Sequence, residues 1–309
     1  MTKNLKQLHT DFINIYKFSM CRRPDTIRGY NSVFELFIKV MPEVTSVDLL
    51  TEAMLNEFFK RLQTRPRMVG NGEIRTGVKN TTIKTYWTKL NTFFEWLEKK
   101  EYITVNPLGN IPAPRVSYND FKRLYDSDIN KIYSSIVTHS RNSFMFHRDT
   151  LMVSLFVYTG MRRGEFISLQ LRDINMYKMR ITIRGETSKS GKTRTLPIHP
   201  TLLFHLENYF IERNKLGYKT EFVITSSKKD EKLTLDGLKH WVKKIIEISG
   251  VKFHPHLFRH TYACKIIEGH TPTASLQKLL GHSQLSMTEK YTRSLRAEDM
   301  MEEVSKISF

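Results

Sequence analysis

Thr159-Gly160-Met161-Arg162-Arg163-Gly164-Glu165 closes a nearly apolar run and opens what reads as a new helix. An arginine at such a junction is well placed to reach a phosphate, because the N-terminus of the following helix also favours anions. Glu165, three residues on, can hold the Arg162 guanidinium in place. The same pair reads equally as an ordinary i,i+3 ion pair on a helix surface. In His256-Leu257-Phe258-Arg259-His260, His256 and Arg259 fall on one helical face, so an imidazole and a cation can share a phosphate. Alone, that spacing arises by chance in many proteins. Leu279-Leu280-Gly281-His282 follows, with a glycine suited to a helix C-cap and a histidine just beyond it. Ser286 and Glu289 read as a capping box for a short helix that carries Tyr291. The chain between His282 and Tyr291 is long enough for one turn and one short helix to fold the phenol back beside the imidazole. By itself such a tyrosine reads as packing. Lys189 and Lys192 lie on the polar stretch GETSKSGK, between the first string and the others.

The order changes the reading. Arg162, then Lys189, then His256 with Arg259, then His282, then Tyr291 resembles the tyrosine recombinase (phage integrase) family. The strings that carry the resemblance are TGMRRGE, SKSGKTRTLPI, HPHLFRHT, LLGH and Tyr291, and it covers nearly the whole chain. It implies an enzyme that cuts and rejoins duplex DNA at specific sites through a 3′-phosphotyrosine.

The residues suit that chemistry. Attack by a phenol oxygen on a phosphodiester adds negative charge to the non-bridging oxygens. Two guanidiniums, Arg162 and Arg259, can clamp them with paired, charge-assisted hydrogen bonds at any working pH. The phenol, ordinarily of pKa about 10, must lose its proton as it attacks, and a neighbouring imidazole can take it. The family pattern makes His256 that partner and His282 a further phosphate ligand. The departing 5′ oxygen needs a proton, and either Lys189 or Lys192 can supply it from a flexible turn. The family pattern favours Lys189, leaving Lys192 as a DNA contact, and gives Glu165 a structural role. The phosphotyrosine conserves the bond energy, so neither ATP nor a metal is required. The sequence accordingly has no P-loop, no carboxylate metal cluster and no cofactor motif.

The elements that must position these groups read as mainly helical, in an α+β chain with one small antiparallel sheet. Apolar residues at helical spacing predict helices from Pro24 to Met41, over 51–63 and from Asn80, with Phe34, Phe37, Phe58, Trp87, Leu90 and Phe94 as core. Between the last two lie Arg65, Arg67, Arg75 and Lys79, on a hairpin turning at Asn71-Gly72 or on a loop; these four are expected to touch DNA backbone. The string NPLGNIPAPR, 106–115, reads as an extended linker. A second domain then offers a buried helix over 151–159, strands at 179–183 and 195–198 joined by the lysine turn, and helices near 202–213, 235–248 and beyond 257. The resemblance implies a helical core-binding (SAM-like) DNA-binding domain over 1–108, a linker over 109–118 and a catalytic domain over 119–309, closing as a C-shaped clamp on DNA.

Composition bounds the partners. Lysine and arginine number 49 against 31 acids, a net charge of +18, and the excess falls on both sides of residue 110, which points to a polyanion met by both parts. Two cysteines build no disulfide framework. No apolar run is long enough to span a bilayer and no signal h-region appears, so a cytoplasmic, nucleoid-associated protein is expected. Nor is an arm-binding domain evident before residue 10, which favours the simpler recombinases. The tail, 295–309, places Leu295, Met301, Val304, Ile307 and Phe309 on one stripe beside Glu298, Asp299, Glu302 and Glu303. It reads as a helix docked on its own domain or, as the resemblance implies, on a neighbouring subunit of a tetramer on two paired sites. Two other readings compete: a non-catalytic DNA-binding protein with a helix-turn-helix at 272–293, and a relaxing topoisomerase with a similar active site.

Overall fold

Asn4 caps the first helix of the computed structural model, which describes residues 4–70, 72–116, 122–289 and 291. Its Oδ1 accepts from the Lys6 amide at 2.9 Å and starts α1 (Leu5–Asn14), which runs into one π turn, Ile15–Ser19. This helix opens the first of two compact units, Met1–Tyr118 and Asn119–Phe309. Pro24 occupies the first turn of α2 (Pro24–Val40), where a missing N–H costs nothing. The Thr51 hydroxyl caps α3 (Glu52–Thr64) through the Met54 amide. A hairpin of β1 (Pro66–Val69) and β2 (Glu73–Thr76) follows, then α4 (Asn80–Lys99). Phe12, Phe37, Phe58, Phe93 and Phe94 are fully buried between these helices. His9 lies flat on Phe34, ring centroids 3.8 Å apart.

The hairpin is the folded alternative of the two that the sequence allows. Arg67 pairs with Arg75 and Met68 with Ile74 across the strands, while Asn71, at the expected turn, lies outside the described residues. Flanking it, Gly70 and Gly72 take positive φ values of 53° and 89°, which glycine adopts without strain. The stretch read as an extended linker differs. Residues 106–111 form turns that pack on the first unit: Leu108 is buried and the Ile111 carbonyl accepts from Trp87 Nε1 at 2.9 Å. Prolines deny the stretch a helix, but Leu108 and Ile111 give it an apolar anchor.

The second unit is built around α6 (Ser143–Thr159), buried on nearly every side. Around it stand α5 (Asp126–His139), α8 (Pro200–Lys215), α9 (Leu235–Ser249) and α10 (Pro255–Glu268). The sheet has three antiparallel strands in the order β3 (Ile174–Asn175), β4 (Arg180–Ile183), β5 (Arg194–Pro197), one more than the sequence predicts. Ile181 faces Leu196, and both are buried. Helix α5 was not anticipated, although Ile129, Ile132 and Ile136 give it a buried stripe at helical spacing. One-turn α7 (Arg163–Ile167), α11 (Thr273–Leu280) and α12 (Ser286–Glu289) complete the unit. Ser286 opens α12 rather than preceding it. The tail over 295–309 lies outside the described residues. Among the described residues no helix is long and apolar enough to cross a membrane.

Candidate active site

Gly160 ends α6 in the left-handed conformation, φ +57°, as its place in the sequence predicts. A Cβ there would stand 2.5 Å from a ring carbon of Tyr262, so α6 and α10 meet through this glycine. Arg162, two residues on, is the N-cap of α7. Its amide donates to Glu165 Oε2 and its Nη1 to Glu165 Oε1, both at 2.9 Å, and its Nη2 lies 3.4 Å from the Gly281 carbonyl. Glu165 is buried. Burial by itself would raise its pKa, but Arg194, Arg162 and the Arg162 amide outweigh that and hold the carboxylate below its ordinary range.

On α10, Pro255 takes the first turn and the His254 ring caps the helix by accepting from the Leu257 amide. His256 is exposed, whereas Arg259 is 1% exposed. Arg259 Nη1 donates to the Gly160 carbonyl at 2.9 Å and Nη2 to the Leu280 carbonyl at 2.6 Å. Burial, with the like charge of Arg162 next, pulls this guanidinium down to about 9, so it stays a cation at neutral pH.

The carbonyls that finish α11 gather the arginines. Leu279 takes Arg194, Leu280 takes Arg259 and Gly281 takes Arg162. These carbonyls have no partner inside their own helix and carry its negative dipole end, which suits three guanidiniums. Gly281 makes the turn, φ +62°. Beyond it, His282 Nδ1 meets Thr288 Oγ1 at 2.8 Å, and the His282 ring lies nearly parallel to the Tyr291 ring, centroids 6.3 Å apart. Tyr291 is fully buried against Tyr262, Cys264, Leu276 and Leu280. Burial raises its pKa, and the charges of Arg259 and Arg162 oppose the rise.

Arg162, Arg259, His282 and Tyr291, scattered along 130 positions of sequence, thus meet around one helix end. His256 joins through a chain of rings, since His260 stands 4.5 Å from His256 and 5.4 Å from Tyr291. Lys189 and Lys192 are exposed on the β4–β5 connection, which Ser188 Oγ, Ser190 Oγ and Gly185 organise. In the first unit, Arg67 Nε donates to the Gly77 carbonyl at 2.6 Å, and Arg75 forms a two-pronged pair with Glu73. Lys79 stays exposed at the start of α4, and Arg65 ends α3, partly buried. Sequence reasoning missed His260, Thr288 and Arg194. For Arg194 a signal exists: with Leu196 and Ile198 it shares the inward face of a strand, where an arginine needs a partner. Among the described residues no cluster of His, Cys, Asp or Glu could hold a metal ion.

Comparison with known proteins gives the following. The family model described as "Phage integrase family" matches residues 122–298. The tyrosine recombinase XerC of Oceanobacillus iheyensis is 27% identical over 297 residues, covering 94% of this chain and 92% of that protein. The tyrosine recombinase XerD of Listeria monocytogenes (strain F2365) is 30% identical over 232 residues, 72% of this chain and 76% of that protein. Among solved structures, XerH recombinase bound to a palindromic difH substrate superposes with a TM-score of 0.71 at 23% identity, covering 91% of this chain and 79% of that one. The Tn1549 transposon integrase with a circular intermediate DNA gives 0.75 at 16% identity, covering 98% of each. These structures share the fold.

Proposed function

We propose that this chain, which belongs to the phage integrase family of tyrosine recombinases, breaks and rejoins DNA with Tyr291 as its nucleophile. Site-specific recombination is the activity of such enzymes and of this one. The observation that carries the residue assignment is the meeting of two arginines, an imidazole and a phenol at the end of α11. Arg162 and Arg259 would bind the non-bridging oxygens of the scissile phosphate, where their charges gain most as negative charge develops. The Tyr291 oxygen attacks phosphorus and its proton passes to an imidazole, His256 being the exposed one. His282 binds the phosphate. The 5′ oxygen leaves with a proton from Lys189, and the 3′ phosphate stays on the tyrosine until a 5′ hydroxyl reverses the step. Because Tyr291 is fully buried, attack on a phosphodiester requires the segment from Gly281 to Tyr291 to shift outward.

The unit over 119–309 then carries the chemistry, while the first unit holds duplex DNA through Arg65, Arg67, Arg75 and Lys79, with Lys192 a further contact. The acidic, amphipathic tail docks on a neighbouring protomer and builds a tetramer on two sites, in the cytoplasm where such DNA is found. Truncation after Arg296 should leave single-site binding intact and reduce assembly on paired sites; normal assembly would return the tail to its own domain.

The decisive test is Tyr291→Phe. A duplex bearing the recombination site, recovered by selection from random sequence, is nicked near the cut so that cleavage traps the enzyme. The parent chain should form an adduct that survives denaturant, and the phenylalanine variant should form none while binding with nearly unchanged affinity. An adduct on the variant would move the nucleophile elsewhere, and none on the parent would leave a DNA-binding protein.

A further inference from the structure

Arg194 occupies a place where a strand calls for an apolar side chain. It opens β5 on the face that buries Leu196 and Ile198, and its own side chain is only 8% exposed. Every edge of the guanidinium is used. Nη1 donates to Glu165 Oε1 at 2.9 Å, Nη2 to Glu165 Oε2 at 2.7 Å, and Nε to the Leu279 carbonyl at 2.8 Å. The C-terminal turn of α11 rests on the same side chain: a Cβ at Gly281 would stand 3.0 Å from Arg194 Cδ and 3.1 Å from its Nη1.

A buried arginine–glutamate pair is a poor source of stability, because desolvation of both charges offsets their attraction and an apolar pair of similar volume does as well. What the fork supplies is position. Glu165 is shared between Arg194 and Arg162, so the orientation of its carboxylate fixes the Arg162 guanidinium. Leu279 and Gly281 are among the last residues before His282. The β4–β5 connection that carries Lys189 ends at Arg194 itself.

We propose that Arg194 is a positioning residue for strand cleavage. It sets Arg162 through Glu165 and sets His282 through the end of α11, without touching DNA. The inference rests on the recombinase reading above and adds to it a residue that supplies no group to the reaction.

The test uses the full chain and the nicked duplex described above, with Arg194→Lys, Arg194→Ala, Arg162→Ala and the double variant. Lysine keeps the charge but cannot span both carboxylate oxygens and the Leu279 carbonyl together. Arg194→Lys should melt close to the parent, bind the duplex within about threefold and cleave it at least roughly tenfold more slowly in a single turnover. Because Arg194 acts in part through Arg162, the double variant should cleave more slowly than Arg162→Ala but by clearly less than the product of the two single losses. Cleavage by Arg194→Lys within about twofold of the parent overturns the proposal. So does a cleavage loss matched by equal loss of DNA binding or of folded protein, and so does a double variant in which the two losses multiply in full. An inactive parent overturns the recombinase reading and this proposal with it, whereas a slow variant beside an active parent bears on Arg194 alone.

Discussion

Lys189 and Lys192 differ by three positions on one exposed connection, and the proposed general acid is Lys189. The test is chemical. Replacing the bridging 5′ oxygen with sulfur makes a leaving group that needs no proton, so a missing general acid ceases to matter. Lys189→Ala should slow cleavage of ordinary DNA by a factor on the order of 10²–10⁴, and the sulfur-bridged duplex should restore the rate. Rescue of Lys192→Ala instead, with none for Lys189→Ala, assigns the proton to Lys192. Arg162→Ala and Arg259→Ala belong to a different class. Each removes charge that matters most as the pentavalent phosphorus forms, so each should cost about 3 kcal/mol in the cleavage barrier and far less in DNA affinity. Loss of Arg259 should also lower stability, since its carbonyl partners Gly160 and Leu280 are left buried without their donor.

Two glycines show how elements hold these side chains. At Gly160 and Gly281 the backbone is left-handed, and a Cβ at either would press on a neighbour, although the neighbours differ in kind. Gly160 abuts the Tyr262 ring, wedged between α6 and α10. Gly160→Ala should therefore destabilise the fold by about 2 kcal/mol or more, seen as a lower urea midpoint. Gly281 abuts the Arg194 side chain, which its pairing with Glu165 and the Leu279 carbonyl holds in place. Gly281→Ala should keep most of the stability and lose cleavage rate, because the His282 segment is displaced. In the first unit, His9 lies inside an aromatic cluster, and burial lowers its pKa from 6.5 to about 4. Its folded form resists protonation while the unfolded chain accepts it. The stability it contributes is thus whole above pH 6.5 and lost as pH falls from 6.5 toward 4, by up to about 3 kcal/mol. Urea unfolding of the parent and of His9→Leu at pH 7 and pH 4.5 checks this. The parent should lose more between the two pH values, and equal losses would remove His9 from the acid response.

Charge governs how the molecule as a whole meets DNA. A net +18 meeting a duplex releases condensed counterions, so log affinity should fall linearly with log salt at a slope of several units, roughly 0.9 for each phosphate neutralised. On the hairpin, Arg67 and Arg75 stand directly opposite one another. Like charges across strands repel, a repulsion that Glu73 and the Gly77 carbonyl relieve in the free chain and that a phosphate would relieve better. Neutralising Arg65, Arg67, Arg75 and Lys79 together should lower the salt slope and weaken cognate and random duplexes alike. A loss confined to the cognate duplex would mean that the hairpin reads bases.

Sequence alone determined the parts whose cause is local. Period and end signals placed α2, α3, α4 and the end of α6, because proline at a first turn, glycine at a C-cap and apolar residues at 3.6 spacing act within a few residues of themselves. The order of Arg162, Lys189, His256, Arg259, His282 and Tyr291 was legible only as a family resemblance, since each string alone reads equally well as ordinary surface or core. Tertiary structure alone decided which partner each group has. That Arg194 grips Glu165, that three arginines each take one of the successive carbonyls of Leu279, Leu280 and Gly281 and that His260 stands between His256 and Tyr291 are contacts between segments far apart in sequence. Burial of Tyr291 also belongs there. A tyrosine near the chain end is polar enough for water and apolar enough for a core, and packing against Tyr262, Cys264, Leu276 and Leu280 decided between them. Residues 106–111 make the same point, because Pro107 within them and Pro112 just beyond oppose a helix locally while burial of Leu108 among the first unit's helices decides that they fold back. Long-range burial chooses among conformations that local chemistry leaves equally open, and in this chain the choice falls on the residues that aim the arginines and the phenol.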